Sequence, residues 1–359
     1  MLFFIMGRLK NIVLQYIKYN KITSKGVLSI LFDYLPLRVK RGILFEEYID
    51  FHLYDAPKDI KDCFLGVKEQ WRLLEVLNPR KYFIVARNKY FAHMFLEAVN
   101  VPTAELYCYY NPEYNLCDNA YISCRVYDTV RILKEKSVKQ CVIKTTEDSH
   151  GDNVIVIKNI EYIQNDCLLL CFDGEIIKLS SIMGKKPLIF EKLIKQTSQF
   201  SSFNPTSVNT VRFMTTLYPS GEAKIIGAFI KIGREGRCVD NAGNGGNVDA
   251  CIDVRSGEIV SAYRFENFQN MVSVKCHPDT NTQISGIFID RWNEICSQII
   301  RFQQAMPFVK AVGWDIAITD YGPVVIEFND FWDRTGQIFI GKGWRKEIID
   351  CYNAWINKQ

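Results

Sequence analysis

Residues 313–330 read GWDIAITDYGPVVIEFND, and they set Asp315, Glu327 and Asn329 into what are otherwise two apolar strands. Asp320, Tyr321 and Gly322 make the break between them, so the stretch predicts a β-hairpin. With that loop, Thr319 faces Pro323 and Asp315 faces Glu327. Directly opposed side chains have Cβ atoms about 5 Å apart. Strand side chains alternate, so Glu327 and Asn329 share a face while Ile326 and Phe328 point the other way. Opposed carboxylates repel unless positive charge lies between them. An oxygen-only set of Asp, Glu and Asn suits Mg²⁺. Two readings stand at this point: a metal patch, or a solvated sheet face carrying acids that a one-residue slip would separate.

Working outward, cations recur on or beside the neighbouring strands. Lys144 closes the strand CVIK, Lys89 opens a helix, and Arg212 and Lys231 lie on strands before the hairpin. Together they can clamp a triphosphate; singly each reads as a surface charge. The phosphate loop G-x-x-x-x-G-K-[ST] does not occur, and GNGGN at 243–247 lacks dinucleotide spacing. FDG at 172–174 has no H-R-D partner, which excludes a protein kinase.

The rest of the 359 residues is ordinary globular sequence, 48% hydrophobic and 23% charged. A net charge of +4 and a pI near 8.3 are too mild for a nucleic-acid partner. Twelve cysteines without a C-x-x-C pair argue against a zinc ribbon and for a reduced, cytoplasmic protein. The N-terminal stretch is too short and too charged to span a membrane and lacks a signal-peptide cleavage pattern. From Gly7 it reads as a basic amphipathic helix with Ile12, Tyr16 and Tyr19 on one side. Packing on the body, or weak contact with a membrane surface, at the inner face, are its two readings. Residues 1–80 look helical. YFIVARNKYFAHMFLEAVNVPTAELY, from Tyr82, reads as strand, helix, strand, with Asn88 capping the helix. Hairpins follow around 219–221 and 255–257, then a helix over about 290–305, the quoted hairpin, and a last helix from Trp344. Hairpin-linked strands with helices set aside in blocks predict an α+β fold with antiparallel sheets.

This order of parts resembles the ATP-grasp superfamily, and within it the sugar-transfer-associated ATP-grasp proteins, over residues 82–337. The likeness lies in VIKTTEDSHGDNV, IFEKLIKQ, SVNTVRFMT, AFIKIG, VDNAGNGGNVDACID, HPDT and the quoted hairpin. It implies an ATP-grasp fold: two α+β lobes with antiparallel sheets that grip a nucleotide, 81–190 and 191–359, beside a helical accessory region at 1–80. It implies that Lys89 and Lys144 meet the phosphates, with Ser149, His150 and Gly151 in a mobile phosphate loop. That loop departs from the family's glycine-rich pattern, since only Gly151 is glycine. Glu191, Lys192 and Leu193 fall at the adenine edge. Arg212, Lys231, Asn241 and His277 fall at catalytic positions, and Asp315, Glu327 and Asn329 match the magnesium ligands. Without the resemblance, His277 before a proline is a turn residue.

The implied activity is an ATP-dependent ligase joining a carboxylate to an amine or thiol through an acyl-phosphate. Its cofactors are ATP and two Mg²⁺ ions, with Mn²⁺ as a substitute. Its substrates are small molecules, sugar-linked in polysaccharide, capsule or other cell-surface glycan synthesis. Two other readings of the same fold are a small-molecule or sugar kinase and a non-catalytic nucleotide-binding module of a glycan-assembly complex.

Overall fold

The computed structural model describes residues 25–114, 120–147, 154–238, 240, 246–267, 270–334 and 336–358. The amphipathic segment around Ile12, Tyr16 and Tyr19 lies outside them. Apolar and β-branched runs pair into two seven-stranded sheets. The first contains β1 (Leu106–Tyr110), β2 (Ile122–Ser123), β3 (Cys141–Thr145), β4 (Ile155–Ile163), β5 (Asp166–Cys171), β6 (Ile176–Lys178) and β7 (Leu188–Glu191). Its order is β2-β1-β7-β3-β4-β5-β6, antiparallel except for the β1–β2 pair. The second contains β8 (Thr210–Leu217), β9 (Ala223–Ile232), β10 (Val248–Ile252), β11 (Ile259–Asn267), β12 (Asn270–Val274), β13 (Ala311–Thr319) and β14 (Gly322–Asn329). Its order, β12-β11-β10-β9-β8-β13-β14, is antiparallel throughout. The α+β class and its hairpins stand as expected.

Every residue of β13 is buried, because both faces of the second sheet are covered. On one face Val312, Trp314 and Ile316 pack with Ile295, Ile299 and Phe302 of the helix Trp292–Gln304. On the other, Ala311, Met214 and Phe229 pack with helices from both ends of the chain. Arg212 and Asp315 alternate onto this second face, two residues from Met214 and four from Ala311.

Residues 25–80 are helical, yet they do not form a lobe with a core of their own. Tyr34, Tyr48, Leu65 and Leu74 share one apolar cluster with Trp332, Phe339, Trp344 and Ile348. Buried polar groups fix the joint. Glu69 takes two hydrogen bonds from Arg345, at 2.7 and 2.8 Å. Glu47 pairs with Arg334, and the Leu65 N–H donates to Gln337 Oε1 at 2.9 Å. Asn78 Nδ2 donates to the carbonyls of Ala311 (2.7 Å) and Asp330 (2.5 Å), and its Oδ1 accepts from the N–H groups of Lys310 and Ala311. One amide thereby holds the start of β13 beside the residue that follows β14.

One local expectation is corrected. YFIVAR is not a strand; a 3₁₀ turn (Arg80–Tyr82) leads into the helix Phe83–Arg87. Tyr82, Val85 and Ala86 pack on the core of the second sheet while Ile84 is half exposed, a spacing that only a helix gives. The next helix, Lys89–Ala98, is capped by Asn88, whose Oδ1 accepts from the N–H groups of Tyr90 and Phe91. Its Ala92 and Leu96 also enter the second sheet's core, so residues 81–190 contribute to the packing of both sheets. Ten of the described cysteines are free thiols. No described helix is long and apolar enough to cross a membrane.

Candidate active site

Antiparallel register places Arg212, Asp315 and Glu327 side by side in one row across β8, β13 and β14. The Asp315–Glu327 pairing arises differently from the sequence expectation. The turn pairs Thr319 with Gly322, one residue short of the expected Pro323. Continued unbroken, that ladder would set Ile326 opposite Asp315 and send Glu327 to the far face. A register shift between Asp315 and Ile316 leaves Ile326 as the extra residue and restores the pair. Ile326 consequently lines the same cavity as Glu327 instead of pointing away from it, while Phe328 is buried near Trp314 as expected. Asn329 lies opposite Gly313, with its Nδ2 3.5 Å from that carbonyl, and is not among the cavity-lining residues.

Asp315 is 2% exposed, so the solvated-face reading fails. Arg212 donates from Nε and Nη2 to its two oxygens at 2.6 and 2.8 Å. Lys231 Nζ lies 3.0 Å from Asp315 Oδ1 and 3.9 Å from Asp240 Oδ1. Asp240 is anchored by the N–H and hydroxyl of Thr210, at 2.8 and 2.5 Å. Burial alone would raise the pKa of Asp315, but Arg212 and Lys231 outweigh it and hold the group far below the usual carboxylate range. For Glu327, burial and then the neighbouring Asp315 charge raise the pKa. A hard divalent cation fits such an oxygen set. Among the described residues no group of three or more His, Cys, Asp or Glu side chains is arranged for a metal. Any ion here therefore needs Asn329 or oxygens from a substrate.

The facing wall belongs to the first sheet. Lys144 and Glu191 are diagonal neighbours across β3 and β7, with Nζ 2.8 Å from Oε2. The Lys89 N–H donates to the Thr146 carbonyl at 2.8 Å, tying the helix start to the end of β3. Beyond β7, the Lys192 N–H donates to the Glu105 carbonyl, and its side chain pairs with Glu105 at 3.1 Å. Between the walls lies a cavity of about 370 Å³. Val142, Val156, Phe172, Leu193 and Ile326 give it an apolar side. Lys89, Lys144, Lys231, Asp240, Asp315 and Glu327 give it a charged side. Thr145 Oγ1, buried in the same lining, has no hydrogen-bond partner among the described residues.

The structure thus brings together Lys89, Lys144, Glu191, Lys192, Leu193, Lys231, Asp315 and Glu327 around one cavity, with Arg212 behind Asp315. It does not bring His277 there. That residue is 1% exposed, its Nε2 lies 3.0 Å from the Gly233 carbonyl, and its Nδ1 accepts from the N–H groups of Asp279 and Thr280. Burial lowers its pKa, and the ring closes a turn. Ser149, His150, Gly151 and Asn241 lie outside the described residues. Asp240, Thr210, Thr145 and Ile326 were not foreseen. Asp240 had a signal, a carboxylate one residue before Asn241 in VDNAGNGG; the others had none.

A model of the family described as sugar-transfer associated ATP-grasp matches residues 68–351. Comparison with curated proteins gives no match. Among solved structures, phosphoribosylamine–glycine ligase from Thermotoga maritima is similar with a TM-score of 0.44 and 12% identity, over 84% of this chain and 63% of that one. N5-carboxyaminoimidazole ribonucleotide synthetase from the same organism gives 0.41 and 11%, over 80% and 56%. D-alanine–D-alanine ligase from Bacillus anthracis gives 0.40 and 11%, over 76% and 69%. The chain therefore spans less than two thirds of the length of the two Thermotoga enzymes.

Proposed function

The chain belongs to the sugar-transfer associated ATP-grasp family, and from that premise we propose that it is an ATP- and Mg²⁺-dependent ligase joining a carboxylate to an amine. The observation that carries this reading is the Arg212–Asp315–Glu327 row, with Lys231, facing the Lys144–Glu191 pair across one cavity. The apolar side of the cavity suits a planar base, with the backbone of 191–193 along its edge. Lys144, Lys89 and the Thr145 hydroxyl face the phosphates, and Lys231 faces the phosphoryl group that moves. Arg212 keeps Asp315 ionised and oriented. Bound Mg²⁺, held by Asp315, Glu327 and Asn329, supplies positive charge to the phosphate oxygens.

In the first half-reaction a carboxylate oxygen bonds to the γ-phosphorus and the bond to the bridging β–γ oxygen breaks, releasing ADP. In the second, the amine nitrogen bonds to the acyl carbon, inorganic phosphate departs, and the amine loses a proton. The family's link to sugar transfer directs the choice of substrates toward sugar acids of cell-surface glycans. The test is ADP release by the full chain with ATP and Mg²⁺ against uronic acids and amino acids, alone and in pairs. Ligase activity predicts ADP and phosphate in equal amounts only when carboxylate and amine are both present. A stable phosphorylated sugar formed without amine would make the protein a kinase. Nucleotide binding without turnover on any pair would make it a binding module.

A further inference from the structure

The helix Val27–Arg41 has two apolar faces, and only one is used by the fold. Ile30, Tyr34 and Leu37 are buried at 1, 2 and 7% exposure, whereas Leu28, Phe32, Leu35 and Val39 are 71, 78, 38 and 80% exposed. At 3.6 residues per turn these four fall within roughly 60° of one another, opposite the buried three. Ser29, Pro36 and Lys40 flank them and are exposed. The helix has one carboxylate, Asp33, which lies off the stripe and is paired with Lys61. Lys61 Nζ lies 2.6 Å from both its oxygens, and the Tyr48 hydroxyl donates to it at 2.6 Å. The outward face therefore presents a continuous apolar stripe beside Lys40, with no negative charge.

The surrounding sequence has the same sign. Arg8, Lys10, Lys18, Lys21 and Lys25 precede Asp33, and no Asp or Glu does. Of these, Lys25 is paired with Asp55 at 3.6 Å. Charge complementarity selects the occupant of the stripe. A second copy would match the apolar residues but bring like charges together. A bilayer carrying anionic headgroups offers acyl chain to the stripe and phosphate to the lysines. We propose that the helix Val27–Arg41 docks the protein on an anionic lipid surface through Leu28, Phe32, Leu35 and Val39. This goes beyond the ligase reading and stands independently of it.

The test is co-sedimentation of the full chain with vesicles of phosphatidylcholine and phosphatidylglycerol, against vesicles of phosphatidylcholine alone. The expected result is binding to the anionic vesicles that weakens with salt. Phe32→Glu/Val39→Glu should lower the affinity at least about tenfold, and Leu28→Gln/Val39→Gln several-fold, with unchanged circular dichroism and denaturation midpoint, since all these side chains are exposed. Absence of binding, or equal binding by both double variants, would overturn the proposal. So would loss of binding on reversing Lys18 and Lys21 while Phe32→Glu/Val39→Glu binds as the parent does, which would assign the contact to the preceding segment. A dimer abolished by Phe32→Glu, in a protein that ignores vesicles, would assign the stripe to a second copy.

Discussion

On the β8–β13–β14 wall, Asp315 is held by two hydrogen bonds from Arg212 and a 3.0 Å contact with Lys231; on the β3–β7 wall, Lys144 meets Glu191 through one contact of 2.8 Å. Strand register sets both groupings and burial does not separate them, with side chains 14% and 3% exposed for Arg212 and Asp315 against 13% and 7% for Lys144 and Glu191; the first differs in closing two cations from neighbouring strands on one carboxylate. Its members cannot change partners without exposing a buried charge. The second is a single contact made by a flexible four-carbon side chain of the cavity lining, and in the proposed ligase Lys144 leaves Glu191 for a phosphate oxygen. One wall is built to keep its charges still, the other to exchange them.

The severest way to break this contrast is Asp315→Asn. It strands Arg212 and Lys231 as buried cations, which costs about 3–5 kcal/mol of stability. Single-turnover ADP formation should fall on the order of 10²–10³-fold. A variant that matches the parent in denaturation midpoint would show that the row is not held by charge. Glu327→Gln sharpens the point. Burial and the Asp315 charge both disfavour its carboxylate, and the amide carries no charge, so the midpoint should barely move. The Mg²⁺ concentration required for ADP formation should rise about tenfold or more, as expected when one charged oxygen ligand is lost. Equal Mg²⁺ titrations would remove Glu327 from the metal site.

Across the cavity, Lys144→Met/Glu191→Gln, which leaves no buried charge unpaired, should raise the dissociation constant for ATP about tenfold, near 1.4 kcal/mol, and leave the midpoint close to the parent's. A large loss of stability instead would mean that this wall is as rigid as the other. The mildest effect concerns side chains outside both groupings. Burial lowers the pKa of His52, His93 and His277. As pH falls below about 6.5, the unfolded chain takes up protons that the folded chain refuses, so stability declines on acidification. Thermal midpoints between pH 7.5 and 5.5 check this, and His277→Asn should reduce the slope.

The pairing of Asp315 with Glu327 was legible because strand alternation and a short loop constrain it strongly. The route to it was not, since a one-residue shift at the turn is cancelled by Ile326, and nothing in VVIEF marks a bulge. YFIVAR was misread because its branched and aromatic residues favour strands in isolation, while packing of Tyr82 against Phe308 at 4.8 Å decides for a helix. The Lys144–Glu191 contact needed β3 and β7 to be neighbours, a long-range fact that no local pattern carries. His277 was given a catalytic position by the resemblance alone. The HPDT geometry, with both ring nitrogens turned to the backbone, agrees with the plainer turn reading.

The joint between the two ends of the chain also sets a clock. Leu65 and Gln337 are 272 positions apart, and Glu69 and Arg345 are 276 apart. A ribosome adds about 5–20 residues per second. The helices made first therefore wait tens of seconds, with Tyr34, Tyr48 and Leu74 uncovered, until their final partners emerge. Both sheets can form in that interval, but the early helices can only be completed last. During synthesis they are the part of the protein most exposed to chaperones, to proteases and to other unfinished chains.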